Sequence, residues 1–384
     1  MSAAVPSRVG INAIFLLPGM GGLDTYVREL IPELVRAAPD TRFKIYCSPR
    51  GERHLRATAW AEAVEFVSHP LLGQRGLKAF SEVSLLGGLA GRQVDLIHSV
   101  ALTAPLWTRA ANVVTIADTT WLHGRRPDPT TLLWRAVVPP VARRADRLIA
   151  ISRQTADDIV EHLHVPRERV DLTFLGHTRQ QDVTPMPEPE LRQRFGLGTN
   201  RIVLMVGTRK PHKNVVSLLR AMPAIIQARP DAMLVLAGNP TAYDDLLRAE
   251  SEKLGLGGQV RFLPFIGAAD LEGLYAAAEC FVLPSLNEGF GLPVLEAMAR
   301  GVAVACSNAS ALPEVAGEAA RYFDPTSVEQ IAQAVIELLA DAALRARLAA
   351  LGRARAAGLT WDATAEATLE SYARAWHTHH ANRG

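Results

Sequence analysis

The chain has 384 residues, 48% of them hydrophobic and 21% charged, with a formal charge of +2. At roughly 150 residues per domain this predicts two domains, and the balanced charge excludes a disordered chain or a strongly basic nucleic-acid binder. The opening MSAAVPSRVGINAIFLLPGMGG holds too few apolar residues before Pro18 for a ~20-residue membrane span and lacks a leader's basic start, so a cytoplasmic protein is expected.

Short β-branched runs alternate with helical patterns along the chain, the pattern of parallel sheets covered by helices on both faces. The first series is VGINAIF (Val9 to Phe15), FKIYC, VDLIH, NVVTIAD, RLIAIS and VDLTF. A polar, proline-bearing stretch near residue 180 reads as a linker. The second series runs RIVLMVG, AMLVLAG, VRFLPF, CFVLPS, VAVACS and ARYF. Two doubly wound α/β domains are therefore expected, over 1–180 and 181–359. Cys47, Cys280 and Cys306 lack CxxC spacing and read as buried reduced thiols. Near the C-terminus Trp361, Ala365, Leu369, Tyr372 and Trp376 recur at helical spacing. That stripe must be buried, either as a cap on the second domain or by a return to the first. The histidines of HTHH beyond it read as a solvated tail.

Three strand-to-helix turns carry candidate chemistry. In LPGMGGLDTYVREL, Gly19, Gly21 and Gly22 precede an amphipathic helix. The spacing lacks the third glycine of the dinucleotide fingerprint, so the turn suits close approach of a phosphate or sugar more than NAD. In VGTRKPHKN, Arg209, Lys210, His212 and Lys213 gather beyond a strand. Arg209, with its fork of donors, and Lys213, a point charge near a helix start, are the candidates for a diphosphate. In NEGFGLPVLEAMARG, Gly289 and Gly291 open a loop to close approach, Pro293 suits a first helical turn, and Glu296 points back at the loop that carries Glu288. Carboxylates accept from hydroxyls, whereas phosphates need N–H donors and cations. A nucleoside-diphosphate sugar satisfies both demands, although a solvated Glu288 and a first-turn Glu296 would explain either residue alone. No DxD, HExxH, GxSxG or Walker motif is present, so neither a metal nor a bound cofactor is expected beyond the nucleotide sugar itself.

Together GMGGLDTYVREL, ADRLIAISRQTADDI, VGTRKPHKN and PSLNEGFGLPVLEAMARGVAVACSNASALPEV resemble the retaining nucleotide-sugar glycosyltransferases of family four, whose mark is a Glu-x7-Glu segment. The resemblance implies a GT-B fold, two Rossmann-like domains facing a cleft, with a last helix over 360–377 crossing back to the first. It implies transfer of a hexose or deoxyhexose from a nucleoside diphosphate to a hydroxyl acceptor (a glycan, glycolipid or small glycoside), without a metal. By motif, Glu288 would bind sugar hydroxyls, Glu296 the ribose, and the backbone around Phe290, Gly291 and Leu292 the sugar or phosphate. Arg209 and Lys213 would meet the pyrophosphate, and Gly22 would let the first domain close on it. Asp118 ends a strand where relatives carry His-Asp, but its predecessor is Ala117. His98 and His123 are the candidates to replace that imidazole, each against a plainer reading as a core or loop residue. Arginines mixed with leucine and tryptophan in LLGQRGLKAF and LHGRRPDPTTLLW fit peripheral contact with the inner membrane face or ordinary helix packing. The alternatives are a GT-B nucleotide-sugar epimerase and a non-catalytic nucleotide-sugar-binding relative.

Overall fold

The structure is a computed structural model, and it describes residues 5–16, 21–68, 81–123, 129–178 and 183–381. The chain divides into two units, 1–176 together with 360–384, and 177–359.

The first unit is built on a parallel seven-stranded sheet in the order β3-β2-β1-β4-β5-β6-β7. Its strands are β1 (Arg8–Asn12), β2 (Arg42–Cys47), β3 (Glu65–Ser68), β4 (Leu96–Ser99), β5 (Ala111–Ile116), β6 (Arg147–Ala150) and β7 (Val170–Leu172). β4, β5 and most of β6 are buried throughout, as strands covered on both faces must be. β1 ends three residues earlier than VGINAIF suggests. Asn12 accepts the amide of Ile14 through Oδ1 at 3.2 Å, so the chain turns before the apolar run is spent.

The helix Trp361–Ala381 belongs to this unit and packs on the helix Gly22–Ala37, β5 and β6. Its stripe is buried at Trp361, Ala365, Leu369 and Tyr372. Polar contacts fix its register. Tyr372 Oη lies 2.7 Å from His98 Nδ1, His98 Nε2 lies 2.7 Å from Thr115 Oγ1, and Tyr26 Oη is 3.1 Å from that same hydroxyl. Ser371 donates to Asp171 at 2.7 Å and Arg374 reaches it at 2.6 Å, and Arg147 pairs with the same carboxylate. His379 is no solvated tail: its Nδ1 lies 3.1 Å from Asp146 and its Nε2 2.9 Å from the Arg109 carbonyl.

The second unit holds a parallel six-stranded sheet in the order β10-β9-β8-β11-β12-β13. Here the strands are β8 (Arg201–Val206), β9 (Ala232–Ala237), β10 (Val260–Leu263), β11 (Ala278–Leu283), β12 (Val304–Ser307) and β13 (Ala320–Phe323). Because every pairing is parallel, the loops that follow these strands leave from one edge. β8 and β11 are neighbours although 71 residues lie between them in the chain, so the order reverses between them. Open α/β sheets bind ligands at such a reversal. Gly238 is required there, since a Cβ would lie 2.2 Å from the Gly207 carbonyl oxygen.

All three cysteines are free and buried, and burial pushes the Cys47 and Cys280 thiols up to about 12. Among the described residues no helix is long and apolar enough to cross a membrane.

Burial lowers the pKa of His98 to about 3. Below the unfolded value of about 6.5 the unfolded chain binds a proton that the folded chain refuses, so stability falls as pH drops. The expected slope from this residue is about 1.4 kcal/mol per pH unit below pH 6.5. Urea titrations between pH 6.5 and 4.5 should give a shallower loss for His98→Gln than for the wild type, and equal slopes would refute this account.

Candidate active site

The loop after β8 and the loop after β11 meet through side chains. Lys213 Nζ lies 2.6 Å from Glu288 Oε1, with side chains 14% and 10% exposed. Ser285 donates to the same oxygen at 2.6 Å. A carboxylate so placed keeps its other oxygen for hydroxyl donors, and an ammonium keeps two further N–H groups for an anion. Opposite charges therefore stand ready for a ligand that carries both chemistries.

The loops are held by backbone as well. His212 accepts the amide of Leu286 at 2.8 Å. Asn214 adopts the left-handed conformation, φ 54°, and its Nδ2 donates to the carbonyls of Pro284 at 3.1 Å and Pro325 at 2.7 Å. Three strand ends are thus tied by one amide. Neither Asn214 nor Ser285 stood out in the sequence, although an asparagine ahead of an apolar helical run is a recognisable cap.

Beyond β11, Phe290 and Leu292 are buried, Gly291 has φ 107°, and the helix Leu292–Ala299 has Pro293 in its first turn. Glu296 lies one turn into it. Its Oε2 is 3.5 Å from the hydroxyl of Tyr275, a residue whose pKa burial and the Glu296 charge raise. Arg300 sits over the Tyr275 ring at 4.7 Å and pairs with Glu272, so the floor beneath Glu296 is a fixed ionic and aromatic stack.

Arg209 lies in the interior of the second unit. It is 2% exposed, pairs with Asp244 at 2.8 Å, and donates through Nη1 to the carbonyls of Leu236 at 3.1 Å and Leu263 at 3.0 Å. Its guanidinium joins the ends of β8, β9 and β10 beneath the loop. Lys213 is the cation that the second unit brings to Glu288.

In the first unit Asp118 follows β5 and is half-buried. Its Oδ1 accepts the amide of Thr120 at 3.1 Å and the Thr120 hydroxyl, opening the helix Thr120–His123. Gly22 is the first residue of the helix Gly22–Ala37, preceded by Gly21 at φ 66°. Gly19 lies outside the described residues, as does the side chain of His123. Of the two histidines considered for that imidazole, His98 is buried. Both of its nitrogens are engaged in the buried contacts to Tyr372 and Thr115. Among the described residues no three His, Cys, Asp or Glu side chains gather as a metal site.

Two family patterns divide the chain between them: Glycosyltransferase Family 4 matches residues 20–176, and Glycosyl transferases group 1 matches 187–355. The chain belongs to glycosyltransferase family 4. It is 34% identical over 232 residues to O-antigen chain mannosyltransferase B of Escherichia coli, covering 59% of the chain and 60% of that relative. It is 33% identical over 265 residues to the D-inositol 3-phosphate glycosyltransferase of Thermobispora bispora, 66% of the chain and 61% of that protein. Matches therefore span about 60% of these relatives' length. The fold of this family 4 chain is that of GT-B glycosyltransferases. Sucrose-phosphate synthase from Thermosynechococcus elongatus superposes with a TM-score of 0.77 at 21% identity, covering 95% of this chain and 98% of that one. HepE from Anabaena, solved with UDP-glucose, superposes with a TM-score of 0.74 at 21% identity over 94% and 98%.

The Arg209–Asp244 pair yields a test. Arg209→Leu leaves a carboxylate buried without its cation and should cost about 3–5 kcal/mol of stability. Adding Asp244→Leu should recover most of that loss in urea denaturation; no recovery would mean that the two side chains do not act as a pair.

Proposed function

We propose that this chain moves a hexose or deoxyhexose from a nucleoside-diphosphate sugar to a hydroxyl acceptor, with retention and without a metal, in the assembly of a bacterial polysaccharide or glycoside. The observation that carries this reading is the 2.6 Å contact between Lys213 and Glu288 at the reversal of the second sheet. In this reading the diphosphate takes the ammonium's remaining N–H groups, and the sugar's hydroxyls donate to Glu288. Glu296, one turn into the following helix, receives the ribose hydroxyls. Backbone N–H groups around Phe290, Gly291 and Leu292 lie at the start of that helix, where its dipole favours an anion.

Catalysis is then electrostatic. Charge that develops on the departing diphosphate is stabilised by Lys213 and by N–H groups already in place, which costs no reorganisation at the moment of reaction. The acceptor hydroxyl attacks from the face the diphosphate leaves, and the phosphate takes its proton. In the first unit the candidate residues are Asp118 for catalysis and Gly22 for the nucleotide sugar. Relatives named as mannosyltransferase and inositol-phosphate glycosyltransferase support a glycan or glycoside acceptor. That acceptor, when lipid-linked, would bring the protein to the inner face of a membrane.

A second reading, a non-catalytic nucleotide-sugar binder, is favoured by Ala117, since the imidazole that relatives carry there is absent and His98 is committed elsewhere. Donor hydrolysis and transfer separate the two. Glu288→Gln should lower turnover at least about tenfold, the scale of losing one group aimed at the reacting sugar, with nucleoside diphosphate affinity unchanged. Lys213→Ala should weaken the nucleoside diphosphate itself by about tenfold or more, as expected for a charge-assisted contact. Calorimetry and steady-state kinetics on both variants check this; equal nucleotide affinity in the two would refute the division of roles. Binding without hydrolysis or transfer in the wild type would select the second reading.

A further inference from the structure

The turn between β12 and the helix Leu312–Ala316 reaches across to the loop that carries Glu288. At its apex Ser310 has φ 58°, in the left-handed region that side chains other than glycine's avoid. Its hydroxyl oxygen accepts the amide of Glu288 at 3.1 Å. Its single O–H is directed at the carbonyl oxygen of Glu288, 2.6 Å away, with Asn287 Oδ1 at 3.1 Å as the other acceptor in reach. One side chain from a different strand connection therefore holds both peptide groups of Glu288. Two residues on, Leu312 packs so tightly against Gly291 that a Cβ there would come within 2.5 Å of Leu312 Cδ2. The turn grips the Glu288 loop at two points.

A glycine would adopt the Ser310 backbone without strain, but it could not supply the hydroxyl. Strain retained where a freer residue is available is explained by what the side chain does. We propose that Ser310 is a positioning residue for the reaction: its left-handed backbone aims Oγ at the Glu288 peptide, and this sets the carboxylate against Lys213 and the donor sugar. The inference rests on the reading of Glu288 as the carboxylate that binds the transferred sugar.

Ser310→Gly separates positioning from folding, because it removes the hydroxyl and the strain together. With UDP-glucose, UDP-galactose and GDP-mannose as donor probes, hydrolysis or transfer should fall about tenfold to a hundredfold in kcat, the scale of a misplaced reacting group. Nucleoside diphosphate affinity should stay within about twofold, and the melting temperature should equal or exceed that of the wild type. Ser310→Ala keeps the strain, so it should lose turnover and melt lower. Hydrogen exchange at the Glu288 amide should accelerate in both. Wild-type kcat in Ser310→Gly, or unchanged exchange at that amide, overturns the proposal. A melting temperature that drops in Ser310→Gly together with nucleotide affinity would overturn it too, since the serine would then be serving the fold. A wild-type chain that binds the donors but turns over none of them defeats the transferase reading instead, and the exchange measurement still decides the role of Ser310.

Discussion

The site depends on one ion pair, Lys213 with Glu288, formed by loops that follow two different strands. Both side chains are largely withdrawn from water, and taking two charges out of water offsets most of what their attraction contributes. A pair of this kind is poorly explained by stability alone. Its ammonium and carboxylate are already desolvated and already aligned, the preorganisation on which the proposed reading of the site draws. Ser285 on the same carboxylate oxygen keeps the pair in one geometry.

What makes the pair possible is the strand order. β8 and β11 lie side by side, so their outgoing loops leave the same edge of the sheet. Asn214 then ties the first loop to the ends of β11 and β13, while Arg209 ties its base to β9 and β10. Arg209 and Lys213, two of the cations of RKPHK, have opposite fates for a chemical reason. A guanidinium offers a planar fork of donors that one carboxylate and two carbonyls engage together here, so it tolerates burial. An ammonium is a point charge that leaves donors over after one partner is met, so it suits the rim of a ligand site.

The first unit is closed by the chain's own end. The helix Trp361–Ala381 returns to it and covers the sheet through an aromatic stripe and the line of contacts Tyr372, His98, Thr115 and Tyr26. That network uses up the histidine at the end of β4. Both nitrogens of His98 are thereby engaged inside the first unit.

Much of this was legible in the residues themselves. Apolar β-branched runs mark strands because burial on both faces leaves no room for alternation, and among the described residues every strand but β3, which begins on Glu65 and has no fully buried residue, falls in a run legible in the sequence. The alternation of such runs with amphipathic helices determined two parallel α/β layers. The glycines, proline and glutamates of NEGFGLPVLEAM determined a loop-to-helix junction able to meet an anion and hydroxyls together. Only the tertiary structure decided which charges are available there. Arg209 and Lys213 stand four residues apart in one loop with similar local sequence, and their difference comes from Asp244, Leu236 and Leu263 on one side and Glu288 on the other. Nor could sequence reveal that Ser310 grips Glu288 or that His98 faces Tyr372, 274 residues away. Strand and helix patterns are written in neighbouring residues, whereas the partners that use up or spare a polar group are brought to it by the fold.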